Sequence, residues 1–309
     1  MTWAPFYRGD GIERPVTPPP APPWRTFPRA SQHHQFQPPP GLVEAVNAAV
    51  LLRRPLLLRG PAGFGKSTVV EQVAHELALG RVLRWQVTSR STLKEALYRY
   101  DALGRIHAQN LRLAHAPSEA DRDDIADFLQ LGPLGTALLP TESGRPRALL
   151  IDEVDKSDMD LPSDLLDVLE RGEFEIPELA RHPVREIGVR LWDSTETTAV
   201  HNGRISCREF PFIVLTSNDE RDFPEAFLRR CIRFTMPRPT VRMLERIISA
   251  HLGGTDAASA LVGEFVERIE QGERLAIDQL LNAVYVLRET HVPDSAQIRD
   301  LLLRDLAND

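Results

Sequence analysis

The sequence predicts an α/β protein in which a parallel β-sheet is covered by helices and followed by a small, all-helical lid domain. Up to about residue 236, short apolar runs alternate with segments of helical periodicity, and this alternation is typical of parallel sheets. After "MPRPT" every segment is helical in pattern, and the prolines there mark a linker. We therefore predict a proline-rich arm over 1–40, an α/β domain over 41–236 and a helical lid over 237–309.

Each element has a local justification in the sequence. Short apolar runs that end in glycine or polar residues predict strands, and apolar residues repeated every three to four positions predict helices. Gly80 and Gly172 each follow a helical segment, and Pro162 lies in a first helical turn, as helix boundaries favour. The predicted strands are "PLLLRG", "RVLRWQV", "ALLID", "FPFIVLTSN" and "CIRFTMP". The predicted helices before the linker are "GLVEAVNAAVLLRR", "KSTVVEQVAHELALG", "TLKEALYRY" and "LPSDLLDVLERG".

Composition restricts the class of protein. The 309 residues are 42% hydrophobic and 26% charged, with a formal net charge of -7, which is typical of a globular chain and disfavours a dedicated nucleic-acid binder. The two cysteines, Cys207 and Cys231, have no CxxC spacing, so we expect neither disulfides nor a thiolate metal site. There is no apolar run of spanning length and no secretory signal pattern, and we therefore expect a cytoplasmic protein without a membrane span.

The arm over 1–40 has an unusual composition. It holds eleven of the 25 prolines, which favours polyproline or irregular conformation. A solvated tail is one interpretation. The other is an arm that lies along the body or along a neighbouring subunit, because the segment is richer in aromatic residues than a linker requires. These aromatic residues are Trp3, Phe6, Tyr7, Trp24, Phe27 and Phe36.

A glycine-rich turn in "LLLRGPAGFGKSTVV" lies between a predicted strand and a predicted helix. It fills the pattern G-x-x-x-x-G-K-[ST], and its position between these two elements is the context that a phosphate-binding loop requires. Glycines let backbone N–H groups approach the phosphates, and the helix N-terminus adds partial positive charge. An incidental turn would not require Lys66 and Ser67 in this register. The predicted nucleotide-binding residues here are Gly60, Pro61, Ala62, Gly63, Phe64, Gly65, Lys66, Ser67 and Thr68.

The strand "ALLID" ends in the acidic pair Asp152–Glu153. Because ligands of parallel sheets bind at the carboxyl ends of the strands, Asp152 is placed to hold Mg²⁺ through water and Glu153 to act as general base on a water molecule. One alternative is a solvated acidic helix start, since Asp155 and further aspartates follow. A calcium loop is a second alternative, but the segment lacks the glycine that such a loop needs at its sixth position.

Two further polar groups follow the predicted strands. Asn218 ends "FPFIVLTSN" and is able to hold the attacking water or a phosphate oxygen, although asparagine often merely ends a strand. Arg229 and Arg230 end "DFPEAFLRR" next to a strand, and their alternative is an ordinary basic surface pair. A guanidinium supplied to a transferring phosphoryl group contributes roughly 10³ to 10⁵ in rate, or about 4–7 kcal/mol.

In this order and spacing, these four elements resemble the AAA+ ATPases. Three longer stretches are similar to the MoxR-type branch, namely "TSRSTLKEALYRYDALGR", "LGPLGTALLPTESGRPRALLIDEVDKSDMDLPSDLLDVLERGEFEIPEL" and "PFIVLTSNDERDFPEAFLRRCIRF". The resemblance covers roughly residues 41–290. It implies a three-layer P-loop core with a helical lid, ATP and Mg²⁺ as ligands, and a ring, usually hexameric, with the nucleotide bound between subunits.

The resemblance also implies a role for individual residues. By position, the Walker A pair is Lys66 and Ser67, the Walker B pair is Asp152 and Glu153, sensor 1 is Asn218, and the arginine finger acting on the next subunit's ATP is Arg230, with Arg229 as a second candidate. The family's helix-2 insert, a hairpin raised toward the pore, fits about 173–205, where "EFEIPEL" and "EIGVRLW" are strand-like and "HNG" predicts a turn. Phe174 and Ile176 either contact partners or pack within the hairpin. The sequence departs from the family at the sensor 2 position, which holds Asp278, with Arg274 nearby.

The function expected from this resemblance is Mg²⁺-dependent ATP hydrolysis that remodels a protein partner, in the manner of a chaperone. Relatives of this branch frequently act with a von Willebrand factor A domain protein. A nucleic-acid-stimulated motor or loader is the first alternative, and the acidic net charge disfavours it. A slow nucleotide-dependent interaction switch, with the aromatic arm as docking element, is the second.

Overall fold

The structure is a computed structural model that describes residues 6–15, 17, 20–26, 36–114, 125–141, 144–253, 259–289 and 296–305. The chain divides into two compact units, each assembled from separate stretches of sequence. The first comprises Met1–Pro39, Gly60–Gln72 and Met236–Asp309, and the second comprises Pro40–Arg59 and Val73–Thr235. The predicted division into three consecutive parts stays a prediction.

The described residues form strands and helices with the following bounds. The strands are β1 (Leu56–Arg59), β2 (Leu83–Gln86), β3 (Tyr98–Tyr100), β4 (Leu129–Leu131), β5 (Ala148–Asp152), β6 (Glu173–Glu175), β7 (Glu186–Arg190), β8 (Thr197–His201), β9 (Arg204–Ser206), β10 (Phe212–Ser217) and β11 (Ile232–Thr235). The α-helices are α1 (Leu42–Leu52), α2 (Lys66–Glu76), α3 (Leu93–Leu97), α4 (Ala102–Ala114), α5 (Pro133–Ala137), α6 (Leu161–Arg171), α7 (Pro177–Ala180), α8 (Glu225–Leu228), α9 (Val241–Leu252), α10 (Ser259–Glu270), α11 (Ile277–Glu289) and α12 (Ala296–Leu302).

The second unit is built on a five-stranded parallel sheet, which confirms the predicted α/β class. Its strand order is β11-β1-β10-β5-β2, and every neighbouring pair is parallel. All six residues of β10 are buried, as expected for a central strand covered on both faces. The register aligns Arg59 of β1 with Ser217 of β10, so the carboxyl ends of these strands lie at one edge of the sheet.

Helices cover this sheet and continue its apolar core. Helix α1 packs against β1 and β11, and α5 packs against β2 and β5. Helix α6 has Pro162 in its first turn and ends at Gly172, which has a φ of 63°, as the sequence predicted. Its buried face includes Leu161, Leu165 and Val168, and this spacing brings one side of the helix onto the core.

A second, mixed sheet of six short strands has the order β3-β4-β7-β8-β9-β6. Two of its strands differ from the sequence expectation. Tyr98–Tyr100 was expected to continue a helix, but α3 ends at Leu97 and the Tyr-Arg-Tyr segment pairs antiparallel with β4, as aromatic residues favour. Only Glu173–Glu175 of "EFEIPEL" is a strand, because Pro177 begins α7. The assignment of this region as a helix-2 insert stays a prediction.

Strands β8 and β9 are joined by a tight turn at Asn202 and Gly203. Both residues have positive φ values, 52° and 69°, as in the turns that match the twist of antiparallel strands. The carbonyl of Gly203 also accepts a hydrogen bond of 2.7 Å from the backbone N–H of Ile176. The turn therefore ties the hairpin to the segment that precedes α7.

The first unit contains the four helices α9 to α12. Helix α9 begins at Thr240, whose side chain accepts a hydrogen bond from Met243 N, and ends at Gly253 in the left-handed conformation. Helices α9, α10 and α11 pack against one another, and α12 packs against α11. Their fully buried residues include Ile248 and Phe265. In the residues that the structure describes, no helix is long and apolar enough to cross a bilayer.

Part of the proline-rich arm lies on this helical group. The indole Nε1 of Trp24 donates a 3.0 Å hydrogen bond to Asn282 Oδ1, and its ring meets those of His251 and Tyr285 edge-on at 6.1 and 5.8 Å between centroids. The Tyr285 hydroxyl donates a 2.7 Å hydrogen bond to the carbonyl of Pro20. The arm around Trp24 therefore contacts its own chain.

The other aromatic residues of the arm differ in their surroundings. Phe36 is half-buried, whereas Phe6 and Tyr7 are exposed. Trp3 and Phe27 lie outside the described residues.

We predict that Gly203→Ala destabilises the protein by about 2 kcal/mol or more, since a non-glycine residue in this conformation costs roughly 1–2 kcal/mol. In addition, a Cβ at Gly203 would lie 2.5 Å from Ala180 N and 2.6 Å from Ile176 O. Urea unfolding measures the effect. Gly188→Ala in β7 is the control, because a Cβ there comes no closer than 4.0 Å to Thr197. Equal stability of the two variants would contradict this account of the turn.

Candidate functional site

The glycine-rich loop begins at Gly60, the residue that follows β1, and leads into α2 at Lys66. Gly60, Gly63 and Gly65 have φ values of 134°, 75° and 75°, a region that glycine reaches without steric cost. Lys66 is 6% exposed, and its ammonium donates hydrogen bonds to the carbonyls of Gly60 and Pro61 at 2.5 and 2.7 Å. The loop thus wraps round its own lysine.

Side chains within the first unit pack closely against this loop. A Cβ at Gly63 would lie 2.4 Å from Ala276 Cβ, and one at Gly65 would lie 3.3 Å from the ring of Phe36. Gln72 Nε2 of α2 donates a 3.3 Å hydrogen bond to the carbonyl of Phe36. Position 63 therefore requires glycine for two reasons: its φ is positive, and a side chain there would clash with Ala276. The proline-rich arm contacts the loop through Phe36.

Asp278 at the start of α11 lies beside the same loop. A Cβ at Gly63 would be 3.2 Å from Asp278 Oδ1, so a carboxylate is found where the family resemblance led us to look for an arginine. Arg274 is exposed, and its backbone N–H donates to Asp305 Oδ1 at 3.0 Å. In the contacts that the described residues make, the guanidinium of Arg274 does not reach the loop.

In the second unit, the hydroxyl of Thr216 joins the ends of β5 and β10. It donates a 2.5 Å hydrogen bond to Asp152 Oδ1 and accepts a 2.8 Å hydrogen bond from Glu153 N. Thr216 is 1% exposed, and a buried hydroxyl needs such partners. This bridge fixes the backbone of the acidic pair at the carboxyl edge of the sheet.

Glu153 has a backbone conformation that is rare for its residue type. Its φ and ψ of 58° and 47° are left-handed, and strain of this kind clusters at functional sites. Its Oε2 accepts hydrogen bonds from Gln86 Nε2 at 2.6 Å and Lys156 Nζ at 2.9 Å, while Asn218 Nδ2 lies 3.4 Å from Oε1. The hydrogen bond to Glu153 raises the pKa of Lys156. Three donors thus restrain the Glu153 carboxylate.

Asp155 is buried and holds the segment that carries Asn218. Its Oδ2 accepts hydrogen bonds from the backbone N–H groups of Asn218 and Glu220 at 2.8 and 3.1 Å. Its Oδ1 is buried and has no hydrogen-bond partner among the residues that the structure describes. Asp155 is 2% exposed, so it does not belong to a solvated acidic helix start. The carboxylate instead joins the turn after β5 to the end of β10.

Arg229 and Arg230 lie between α8 and β11, at the amino end of β11. Because the five strands are parallel, this is the edge opposite to the one that carries Asp152 and Asn218. Arg230 Nε donates to Glu170 Oε1, and this hydrogen bond raises the pKa of Arg230. The carbonyl of Arg229 accepts a 3.3 Å hydrogen bond from Arg54 Nη1.

The structure therefore brings Asp152, Glu153 and Asn218 together and places the arginine pair at the other edge. The residues that position the acidic pair, Gln86 and Thr216, were not predicted from the sequence. Gln86 had a usable signal, since a polar residue at the carboxyl end of a parallel strand is the pattern that drew attention to Asp152. Thr216 had no comparable signal, because its bridge depends on β10 lying beside β5.

The profile of the AAA domain family, dynein-related subfamily, matches residues 55–231. This range covers more than half of the chain and includes the loop, the acidic pair, Asn218 and Arg230. The chain therefore belongs to this family, which assigns it the P-loop AAA+ fold and a nucleotide-dependent activity of the ATPase type. The MoxR-type branch is a finer assignment that this match does not make.

The chain is less similar to individual known proteins than to this family profile. No curated protein matches the chain. Among solved structures, domain III of the Thermotoga maritima replication initiation protein DnaA is 14% identical with a TM-score of 0.42, over 90% of this chain and 97% of that one. NtrX from Brucella abortus in complex with ADP is 17% identical with a TM-score of 0.41, over 88% of this chain and 56% of NtrX.

We predict that Asp155→Ala lowers the free energy of unfolding by about 2–6 kcal/mol, because two backbone N–H groups lose their acceptor at roughly 1–3 kcal/mol each. Asp155→Asn is the matched control. Its amide oxygen is able to keep both hydrogen bonds, and we expect a smaller loss. Urea unfolding of the two variants measures the difference. If Asp155→Ala unfolds at the wild-type midpoint, the carboxylate does not anchor the Asn218 segment.

Proposed function

We propose that the protein is a Mg²⁺-dependent ATPase of the MoxR type that works as a ring, usually hexameric, and remodels a protein partner. The observation that carries the hydrolytic part is the group at the carboxyl edge of the sheet, where Asp152, Glu153 and Asn218 are fixed by buried hydrogen bonds. Strands β1 and β10 are parallel neighbours, and the glycine-rich loop follows β1. This connectivity supports the proposal that the loop and the acidic pair act on one nucleotide.

The loop residues fit a triphosphate. Three glycines with positive φ, a buried lysine ammonium and the N-terminus of α2 supply backbone N–H groups and positive charge, which is the chemistry of a phosphate site. In our proposal Lys66 exchanges its hydrogen bonds to the loop carbonyls for phosphate oxygens. Ser67 and Asp152 offer the oxygen donors that Mg²⁺ prefers. When bound, Mg²⁺ supplies neutralisation of phosphate charge.

Glu153 is proposed to take a proton from the attacking water, and Asn218 to orient that water. The carboxylate is engaged by Gln86 and Lys156, both at Oε2. This leaves Oε1, which lies 3.4 Å from Asn218 Nδ2, as the proposed acceptor of the proton. Gln86 and Lys156 are therefore proposed to restrain the base rather than to react.

Arg230 is proposed to act on the nucleotide of a neighbouring subunit. The amino edge of β11 is about four residues of extended chain away from the edge that carries Asp152, or roughly 13 Å at 3.3 Å per residue. This separation favours a carboxyl edge that acts on the subunit's own nucleotide and an amino edge that acts on a neighbour's. A ring, in which one subunit's amino edge faces the next subunit's nucleotide, would complete the site.

The partner and the compartment are proposed from the sequence resemblance and the composition. The three longer stretches that resemble the MoxR-type branch favour a protein partner, and we propose a von Willebrand factor A domain protein for this role. The net charge of -7 does not favour nucleic acid. The two cysteines are unpaired, which fits a reducing cytoplasm. Stimulation of ATP turnover by DNA, with none by a co-purified protein, would favour the motor or loader function instead.

We predict that Lys66→Ala and Glu153→Gln separate binding from hydrolysis. Loss of a charged hydrogen-bond donor to phosphate weakens ATP binding by about 10- to 100-fold, whereas loss of the general base lowers turnover by about 10²- to 10⁴-fold with binding intact. Calorimetric titration with Mg²⁺ and ATP, and steady-state phosphate release, measure the two effects. Undiminished turnover in both variants would refute the proposed site.

Mixing of variants tests whether Arg230 acts between subunits. We expect Arg230→Ala to bind ATP but to lose about 10³-fold or more in turnover. Addition of Lys66→Ala protein should partly restore activity, because these subunits still carry Arg230. The control is addition of the double variant Lys66→Ala/Arg230→Ala, which supplies no arginine. Equal activity of the two mixtures would contradict action across the interface.

A further inference from the structure

A cleft of about 350 Å³ opens beside Arg230 at the amino edge of the parallel sheet. Its lining includes the side chains of Arg53, Arg54 and Arg230 and one carboxylate, that of Glu170. The carboxylate of Glu209 lies 3.8 Å from Arg53 Nη2. Even when both carboxylates are counted, positive charge is in excess, and such a cleft attracts anions.

Glu170 lies in the last turn of α6 and pairs directly with Arg230. Arg230 Nε donates to Glu170 Oε1, and Nη1 of the same guanidinium donates a 3.1 Å hydrogen bond to the carbonyl of Ala226. Arg230 holds the pKa of the Glu170 carboxyl below its usual range. The carboxylate is therefore ionised at neutral pH and occupies the guanidinium that the proposed function assigns to a phosphate.

The backbone around Arg230 is held more firmly than its side chain. Arg230 N donates a 3.1 Å hydrogen bond to the carbonyl of Phe227, and Arg54 Nη1 donates to the carbonyl of Arg229. The Arg230 and Glu170 side chains are 32% and 54% exposed. Ion pairs this exposed are weak and exchange readily. The guanidinium is thus able to change partners while its backbone stays in place.

We propose that Glu170 is a built-in competitor for Arg230. In one subunit, Glu170 retains the guanidinium until the terminal phosphate of a nucleotide on a second copy of the chain displaces the carboxylate. This inference rests on the proposed function of Arg230 and adds a positioning residue to it. The exchange breaks one ion pair and forms another, with no covalent step.

The expected size of the effect follows from the exposure of the pair. An ion pair at a solvent-exposed position contributes little, so removal of the competitor should raise turnover by only about two- to fivefold. Arg54 remains in the cleft and keeps Arg229 in place, and replacement of an exposed glutamate is not expected to unfold the protein. Nucleotide affinity should rise by no more than the same two- to fivefold, because Glu170 competes with the terminal phosphate only for Arg230 and does not belong to the glycine-rich loop.

The test is steady-state ATP turnover of the full chain with Glu170→Gln. The matched control is Asp167→Asn, which removes the exposed ion pair between Asp167 Oδ1 and Arg171 Nε on the same helix, 3.0 Å long. We expect turnover to rise two- to fivefold for Glu170→Gln and to stay at the wild-type value for Asp167→Asn. In the double variant Glu170→Gln/Arg230→Ala the rise should vanish, because Glu170 acts through Arg230.

The outcomes separate this inference from the function on which it rests. If Arg230→Ala is inactive and Glu170→Gln is no faster than wild type, Glu170 is not a competitor, while the proposed action of Arg230 on the nucleotide stands. A rise that persists in the double variant, or that Asp167→Asn reproduces, also overturns the inference, since Glu170 would not act through Arg230. If Arg230→Ala turns over ATP at the wild-type rate, the proposed arginine function itself fails.

Discussion

The pairing of β5 with β10 is the constraint on which the rest of the site depends. These two parallel strands bring Asp152 and Thr216 to neighbouring positions at one edge, and the Thr216 hydroxyl then fixes both Asp152 and the backbone of Glu153. Asp155 makes a second link, from the turn after β5 to the N–H of Asn218. Because these groups are buried, breaking either link leaves polar atoms without partners, so the edge is rigid before any ligand arrives.

Restraint recurs at each reactive group of the molecule. Lys66 is engaged by loop carbonyls, Glu153 by Gln86 and Lys156, and Arg230 by Glu170. At Lys66 and Arg230 these contacts use the atoms that the proposed reaction needs. A site of this kind works only when a ligand offers better partners, and this requirement links nucleotide binding to side-chain rearrangement. Weak and exposed pairs such as that of Arg230 are the ones a ligand displaces most easily.

Much of the fold was predictable because its central strands are continuous apolar runs that end at polar residues, as in "ALLID" and "FPFIVLTSN", which is typical of buried parallel strands. The glycine-rich loop was predictable from a pattern that is local in sequence. Gln86 and Thr216 were missed because their contacts follow from strand order, which brings β2 and β10 to either side of β5. Strand β3 was missed because the short helix α3, with a capping box at Thr92, directly precedes it. The helical pattern of the sequence continues from α3 into β3.

The contacts of the proline-rich arm were also only partly predictable from the sequence. Its aromatic content suggested a docked segment, and Trp24 and Phe36 do contact the chain. The sequence could not say which surface they contact, since Asn282 and Gln72 carry no mark of that role. Asp278 is the opposite case. Its position beside the loop was anticipated from a departure in the sequence, and the structure shows the carboxylate next to Gly63.

We propose that Lys66 and the acidic edge act on one triphosphate. A crystal structure of the Glu153→Gln variant with ATP and Mg²⁺ tests this directly. We expect the terminal phosphate in contact with Lys66, the metal on Ser67 and facing Asp152, and a water molecule between that phosphate and the side chain at position 153. A nucleotide bound elsewhere, or a terminal phosphate with no approach to position 153 and Asn218, would contradict it.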